Sequence, residues 1–355
     1  MNDATEANGA TLVKTLVVDD APMMRKVIQQ ILAKDEQISV VGTATNGQEC
    51  LERILELKPD VVTLDIDMPV MNGLTAIKNI MVRYQIPIVI ISSLIQDGYF
   101  AFEALRLGVV DFVPKPSRVA TASWADEEEL VRMRVRLAAT MQVNRMRRVR
   151  RRRKAVVSAM SSTAVPTAVV AMGTTLAGPN TIMHIVTQLS PDFPGAIIAL
   201  QEIHPRILAP FCACFNDISP LEVVPVTGPC ALRPGKVYLA STSKGLQLNR
   251  AEDSDEIVLD VTDSVEMPID QLFGFAATHF HQKACGVLLT GIGMDGAEGL
   301  GKIQAGGGLT IAQEQDCCVY PNLVENALRN EVVDVVMSNQ GIAHRLETWI
   351  EGKIQ

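Results

Sequence analysis

The chain has 355 residues, is rich in Leu, Val and Ala and poor in aromatics, and carries a formal net charge of −8 at pH 7. That length accommodates two α/β domains of ordinary size. The opening MNDATEANGA lacks the basic-then-apolar pattern of a secretory signal, and no apolar run approaches about 18 residues, so neither secretion nor membrane insertion is expected and the cytoplasm is the expected location. The cysteines are scattered; Cys212/Cys214 and Cys317/Cys318 lie close in sequence, but neither spacing matches a zinc or thioredoxin-type motif. They read as small buried hydrophobes. No internal repeat is found.

In chain order, residues 1–13 read as a disordered tail. Residues 15–18 form a buried strand ending in Asp19-Asp20, followed by Ala21-Pro22 and an amphipathic helix to about Ala33. Residues 60–64, a short apolar run rich in β-branched side chains, read as a strand buried on both faces. It delivers Asp65 at its C-terminal end, where open parallel sheets bind ligands, and Met68-Pro69 and Asn72-Gly73 then supply turn chemistry. A third strand, residues 88–91, ends in Ser92-Ser93. A fourth segment, residues 111–114, ends in Lys115-Pro116. Three carboxylates brought together repel one another unless a hard cation lies between them, and an all-oxygen cluster selects Mg²⁺.

Carboxylates, a hydroxyl and a lysine at successive strand ends, with βα alternation, make residues 14–120 resemble a response-regulator receiver domain of flavodoxin-like fold with a parallel five-stranded sheet. The resemblance implies that Asp65 accepts a phosphoryl group from a histidine kinase. It also implies that Asp19, Asp20 and Asp65 hold Mg²⁺ with help from the Asp67 carbonyl. Ser92 and Lys115 would meet the phosphoryl oxygens, the Lys115-Pro116 bond would be cis, and Phe112 would be the aromatic that reports the state of Ser92.

Residues 121–167 read as a linker. The acidic run from Asp126 to Glu129 suits a helix N-terminus, and residues 131–146 show helical spacing of apolar side chains. A dense basic block follows from Arg145 to Lys154. It reads as a solvated charge run or as a contact for an anionic surface; without interleaved aromatics, nucleic-acid binding is not expected of it.

A second set of βα elements opens at about Ala168. Residues 169–172 form a strand, Gly173-Thr174-Thr175-Leu176-Ala177-Gly178 a small-residue turn, and residues 180–188 a helix. Such a corner exposes one side chain, as an acyl-transfer nucleophile requires. Residues 196–200 form a strand leading into Gln201-Glu202-Ile203-His204-Pro205, and residues 286–289 another leading into Thr290-Gly291-Ile292-Gly293-Met294-Asp295-Gly296. The alternation predicts a doubly wound sheet over residues 168–350.

These stretches resemble the effector domain of the chemotaxis protein-glutamate methylesterase family, CheB. That resemblance implies a phosphorylation-controlled enzyme that hydrolyses glutamyl methyl esters, and deamidates some glutamines, on methyl-accepting chemoreceptors through a Ser-His-Asp triad. Asp295 matches the triad aspartate. Thr175 stands at the serine position and Glu202 at the histidine position, and the family's late Gly-Met-Pro is replaced around Pro321-Asn322-Leu323. Threonine's extra methyl crowds the attacking trajectory, and glutamate is a weaker base than imidazole. Asp295 facing Glu202 would meet a like charge. His204 is a candidate substitute base, although two residues along a strand displace it by roughly 6.6 Å. Weak or no esterase activity is therefore expected. The alternatives are a catalytically silent module that binds its partner when phosphorylated and, less favoured, an output regulator contacting nucleic acid through the basic block.

Overall fold

The computed structural model describes residues 12–92, 98–109, 111–116, 124–145, 149, 165–250 and 256–354. Residues 1–11 of the expected tail lie outside the described residues, as does the basic block apart from Arg145 and Val149. The chain divides into two compact units, residues 1–94 with 109–141 and residues 95–108 with 142–355.

The first unit runs β1 (Val13–Val18), α1 (Pro22–Leu32), β2 (Ile38–Ala44), α2 (Gly47–Leu57), β3 (Val61–Leu64), α3 (Gly73–Arg83) and β4 (Ile88–Ser92); α4 (Gly98–Leu107) falls in the second unit, and β5 (Asp111–Pro114) and α5 (Trp124–Ala139) complete the first. The sheet order is β2-β1-β3-β4-β5 with every neighbouring pair parallel. Central strands buried on both faces read as nearly continuous apolar runs, and Val61–Leu64, with Thr63 its one polar residue, is buried throughout. Helix starts follow local chemistry: Pro22 is pre-set for the first turn of α1, and the Asn46 side chain caps α2 by accepting from the N–H groups of Gln48 and Glu49. The linker helix begins earlier than its apolar spacing suggested. It starts at Trp124, putting Asp126 and Glu127 in the first turn, and it ends at Ala139 rather than 146, where tight turns carry the Thr140 and Met141 N–H groups to the carbonyls of Leu137 and Ala138.

In the second unit follow β6 (Val169–Gly173), α6 (Gly178–Val186), β7 (Ala196–Gln201), α7 (Pro205–Asn216), β8 (Glu222–Pro225), β9 (Cys230–Ala231), β10 (Lys236–Ser241), β11 (Gly245–Arg250) and β12 (Ile257–Thr262). The remainder is α8 (Pro268–Phe280), β13 (Ala284–Leu288), α9 (Ala297–Ala305), β14 (Leu309–Gln313), α10 (Asn322–Arg329), β15 (Val335–Met337) and α11 (Asn339–Ile354). Seven strands form a parallel sheet in the order β15-β14-β13-β6-β7-β10-β8, and β11-β12-β9 form a small antiparallel sheet. The core joins Ala171, Ile198 and Leu200 of the sheet to Ile269, Phe273 and Ala276 of α8 and Leu246 and Leu259 of the small sheet. Strand β6 is central, with β7 on one side and β13 on the other. The chain thus leaves β6 in one direction and later returns to its opposite side, so the crevice at the C-terminal ends of β6 and β13 is a topological switch point. Within this unit α4 packs with α6 and α7: Phe102 meets Phe211 edge-on at 5.6 Å, and Asn180 Nδ2 donates to the Leu105 carbonyl at 3.1 Å.

Candidate functional sites at the strand ends

Parallel pairing brings the C-terminal residues of β1 and β3 side by side, Val18 opposite Leu64, so Asp19, Asp20 and Asp65 leave the sheet together. One oxygen from each carboxylate lies within 4.8 Å of the others. Asp19 and Asp65 are buried and Asp20 is exposed. Lys115 Nζ reaches across from the end of β5 to lie 2.6 Å from Asp65 Oδ2 and 2.7 Å from Asp19 Oδ2. Ser92 is buried at the end of β4, whose register sets it opposite Pro114. Phe112 is half-buried on β5, opposite Ile90. The Lys115-Pro116 peptide bond is trans, not cis as the resemblance implied. Trans is the lower-energy form by about 0.5–1 kcal/mol for a bond to proline, and Lys115 reaches both carboxylates from it.

Burial holds the Asp19 carboxyl above the usual aspartate range. Lys115 and the Ala21 N–H oppose that rise, and the charge of Asp65 adds to it. For Lys115, burial alone would depress the ammonium, but its two carboxylate partners outweigh burial and raise its pKa. The loop after Asp65 approaches closely enough that a Cβ on Gly73 would come within 2.7 Å of the Asp65 carbonyl oxygen, which is why the Asn-Gly turn needs its glycine. The Asn72 side chain accepts from the Thr75 N–H and starts α3 there. Three carboxylates that repel one another, two of them buried beside the Lys115 ammonium, offer oxygen ligands that fit a hard divalent cation such as Mg²⁺.

The second site lies at the switch-point crevice. The turn after β6 exposes Thr175 partly, but its hydroxyl is occupied: Oγ1 donates to the Ile292 carbonyl at 3.1 Å and accepts from the Ile292 N–H at 2.7 Å. Leu323 packs at the same spot. A Cβ on Gly291 would lie 2.4 Å from Thr175 Oγ1 and 2.5 Å from Leu323 Cδ1. Ala177 has the left-handed φ of 61°, which costs a residue with a Cβ, so this corner is strained. Beside it, Thr174 is fully buried and donates to the Thr290 carbonyl.

Glu202 follows β7 and is half-buried. The preceding Gln201 is fully buried, and among the described residues neither of its amide atoms has a hydrogen-bond partner. His204 is not on a strand, as the two-residue spacing assumed. Strand β7 ends at Gln201, and His204 is the N-cap of α7, its Nδ1 accepting from the Arg206 N–H at 3.2 Å. Burial first, and then the Arg206 charge, lower the pKa of His204 and favour the neutral ring that such a cap requires.

Asp295 is buried, and both its oxygens serve the N-terminus of α8, accepting from Ile269 N at 2.8 Å and Asp270 N at 2.8 Å. Burial pushes its pKa up to about 6 against those two N–H groups, and the like charge that adds to the rise is Asp270, not Glu202 as expected. Asp270 in turn accepts from the Gly299 N–H of α9 at 2.6 Å. The two aspartates tie α8 and α9 together.

Residues 15–122 match the response regulator receiver domain family and residues 170–346 the CheB methylesterase family. A protein-glutamate methylesterase/protein-glutamine glutaminase of Vibrio vulnificus is 36% identical over 314 residues, covering 87% of this chain and 90% of that protein. One of Pyrococcus horikoshii is 30% identical over 345 residues, covering 96% and 94%. The crystal structure of the Thermotoga maritima CheB methylesterase catalytic domain is similar at a TM-score of 0.48 and 25% identity, covering 51% of this chain and 97% of that one. With a receiver-type sheet carrying the acidic pocket, a second parallel sheet carrying the Thr175 and Asp295 turns, and relatives alike over most of its length, the chain belongs to the CheB protein-glutamate methylesterase family of response regulators.

Proposed function

We propose that the chain is a phosphorylation-controlled regulator of a chemotaxis-type pathway whose effector domain docks methyl-accepting chemoreceptors without hydrolysing their glutamyl esters through a Ser-His-Asp triad. Asp65 is the phosphoacceptor for a histidine kinase. Mg²⁺, held by Asp19, Asp20 and Asp65, would offset the charge of the phosphoryl oxygens. Lys115 pairs with those oxygens, Ser92 turns towards them, and Phe112 follows Ser92. The relatives named as methylesterases support the receptor as the partner class.

The observation that carries the non-hydrolytic half is the double hydrogen bond between Thr175 Oγ1 and the Ile292 backbone. A nucleophile needs a base to take its proton and an open approach for the ester carbonyl. Here the proton is directed at a carbonyl, and Leu323 fills the adjoining space. Glu202 offers a carboxylate where the family has imidazole, His204 is committed to capping α7, and Asp295 to capping α8. Each group of a triad is thus replaced or engaged elsewhere.

The input half is tested by incubating the purified chain with a small-molecule phosphodonor and Mg²⁺ and measuring protein-bound phosphate that hydroxylamine releases. Incorporation near one equivalent is expected, with none in Asp65→Asn and none in excess EDTA. Equal labelling of Asp65→Asn would refute the assignment of Asp65.

A further inference from the structure

We propose that Arg25 is a positioning residue that sets the acidic pocket for a divalent cation by gripping the backbone of the Asp19-Asp20 turn. This rests on the reading of Asp19, Asp20 and Asp65 as cation ligands. Arg25 is the fourth residue of α1, and its Nη1 donates to two successive carbonyls, Asp19 O at 2.7 Å and Asp20 O at 2.9 Å. Those carbonyls belong to the residues whose side chains point into the pocket.

The rest of the turn shows what this grip adds. Asp19 is tied down on several sides: its N–H donates to the Ala44 carbonyl, its Oδ1 accepts from the Ala21 N–H at 2.9 Å, and its Oδ2 lies against Lys115. Asp20 is exposed, and the residue that follows it, the N-cap Ala21, makes no side-chain capping bond. The Arg25 contact with the Asp20 carbonyl therefore fixes the peptide that aims the Asp20 carboxylate.

Electrostatics points the same way. A cation near the start of a helix opposes the helix macrodipole, and it also repels any metal ion in a pocket nearby. Two charge-assisted hydrogen bonds from one nitrogen offset that cost. The neighbouring Glu49, held below the usual glutamate range first by its hydrogen bonds to Thr45 and in smaller part by Arg53 and Arg25, supplies a counter-charge. A guanidinium at this end of α1 is thus retained for its grip on the turn, in the way that outer-shell partners orient metal ligands.

The test is a calorimetric Mg²⁺ titration of the full-length chain and of its Arg25→Gln and Arg25→Lys variants, with thermal unfolding of each in EDTA. Arg25→Gln is expected to bind Mg²⁺ about tenfold more weakly, the effect typical of losing an outer-shell partner, and Arg25→Lys, which keeps a charged donor, by less. Metal-free unfolding should be the same in all three. Affinity in Arg25→Gln equal to or tighter than that of the unsubstituted chain overturns the inference, as does a metal-free destabilisation large enough to explain the weaker binding. An unsubstituted chain that takes up no Mg²⁺ overturns the cation-site reading itself, which is a different result from unaltered affinity in the variant.

Discussion

Thr175 and Ile292 exchange two hydrogen bonds across 117 positions of sequence, and that exchange turns a residue at a nucleophile position into a brace for the neighbouring loop. The near-isosteric Thr175→Val leaves the Ile292 N–H without its acceptor in a partly buried place, a loss of about 1–3 kcal/mol. Urea unfolding should show a lower midpoint at unchanged slope. A midpoint that does not move would mean that the hydroxyl is free for other work. At this scale the sequence was informative about type and silent about partnership. Thr175 and Glu202 could be assigned to their positions from short turn motifs, and Asp19, Asp20, Asp65 and Lys115 from their places after apolar runs. That Ile292 takes the threonine hydroxyl, that Arg25 takes two carbonyls and that His204 caps a helix all depend on three-dimensional approach, which residue spacing alone does not encode.

Among the elements, α8 and α9 are joined by Asp295 and Asp270, and this pairing gives a pH signature. Asp295 has a folded-state pKa of about 6 against an ordinary 3.8, so between those values the folded chain binds more protons than the unfolded chain. The sign follows: ionised Asp295 weakens the fold above about pH 6, and stability from this group rises as pH falls through that value. Measured against Asp295→Asn, which has no charge to lose, the unsubstituted chain should gain on the order of 1–3 kcal/mol between pH 7 and 4.5. A relative loss on acidification, the behaviour of an ordinary capping carboxylate, would contradict the reading. Which elements could be read in advance follows the strength of their patterns. Strands that are mostly apolar and buried at every residue, such as β3 and β7, announce themselves, whereas β2 (ISVVGTA) is interrupted by glycine and polar residues and passed unseen. The start of α2 also passed unread, although Asn46 accepts from the N–H groups of Gln48 and Glu49 and the Glu49 side chain accepts from the Thr45 N–H. In β11 and β12, Leu246, Leu248, Ile257 and Leu259 turn inward at every second residue, a period-two signal on a small antiparallel sheet that a search for βα units passes over.

At the scale of the whole molecule, the two parallel sheets carry sites of opposite character. The first gathers charged groups with their functional atoms directed at one another, three carboxylates and an ammonium, and the carboxylates could hold a cation. The second carries threonine, glutamate, histidine and aspartate in turns that follow β6, β7 and β13, with the threonine, histidine and aspartate spent on backbone groups. No described helix is long and apolar enough to cross a membrane. The most direct measurement is methanol release from methylated chemoreceptor membranes, with and without phosphodonor and Mg²⁺, beside Thr175→Ala and beside co-sedimentation of the chain with the same membranes. Co-sedimentation that rises with phosphodonor, with no methanol above background, is the expected result. Methanol release that rises with phosphodonor and vanishes in Thr175→Ala would contradict it and mean a working esterase.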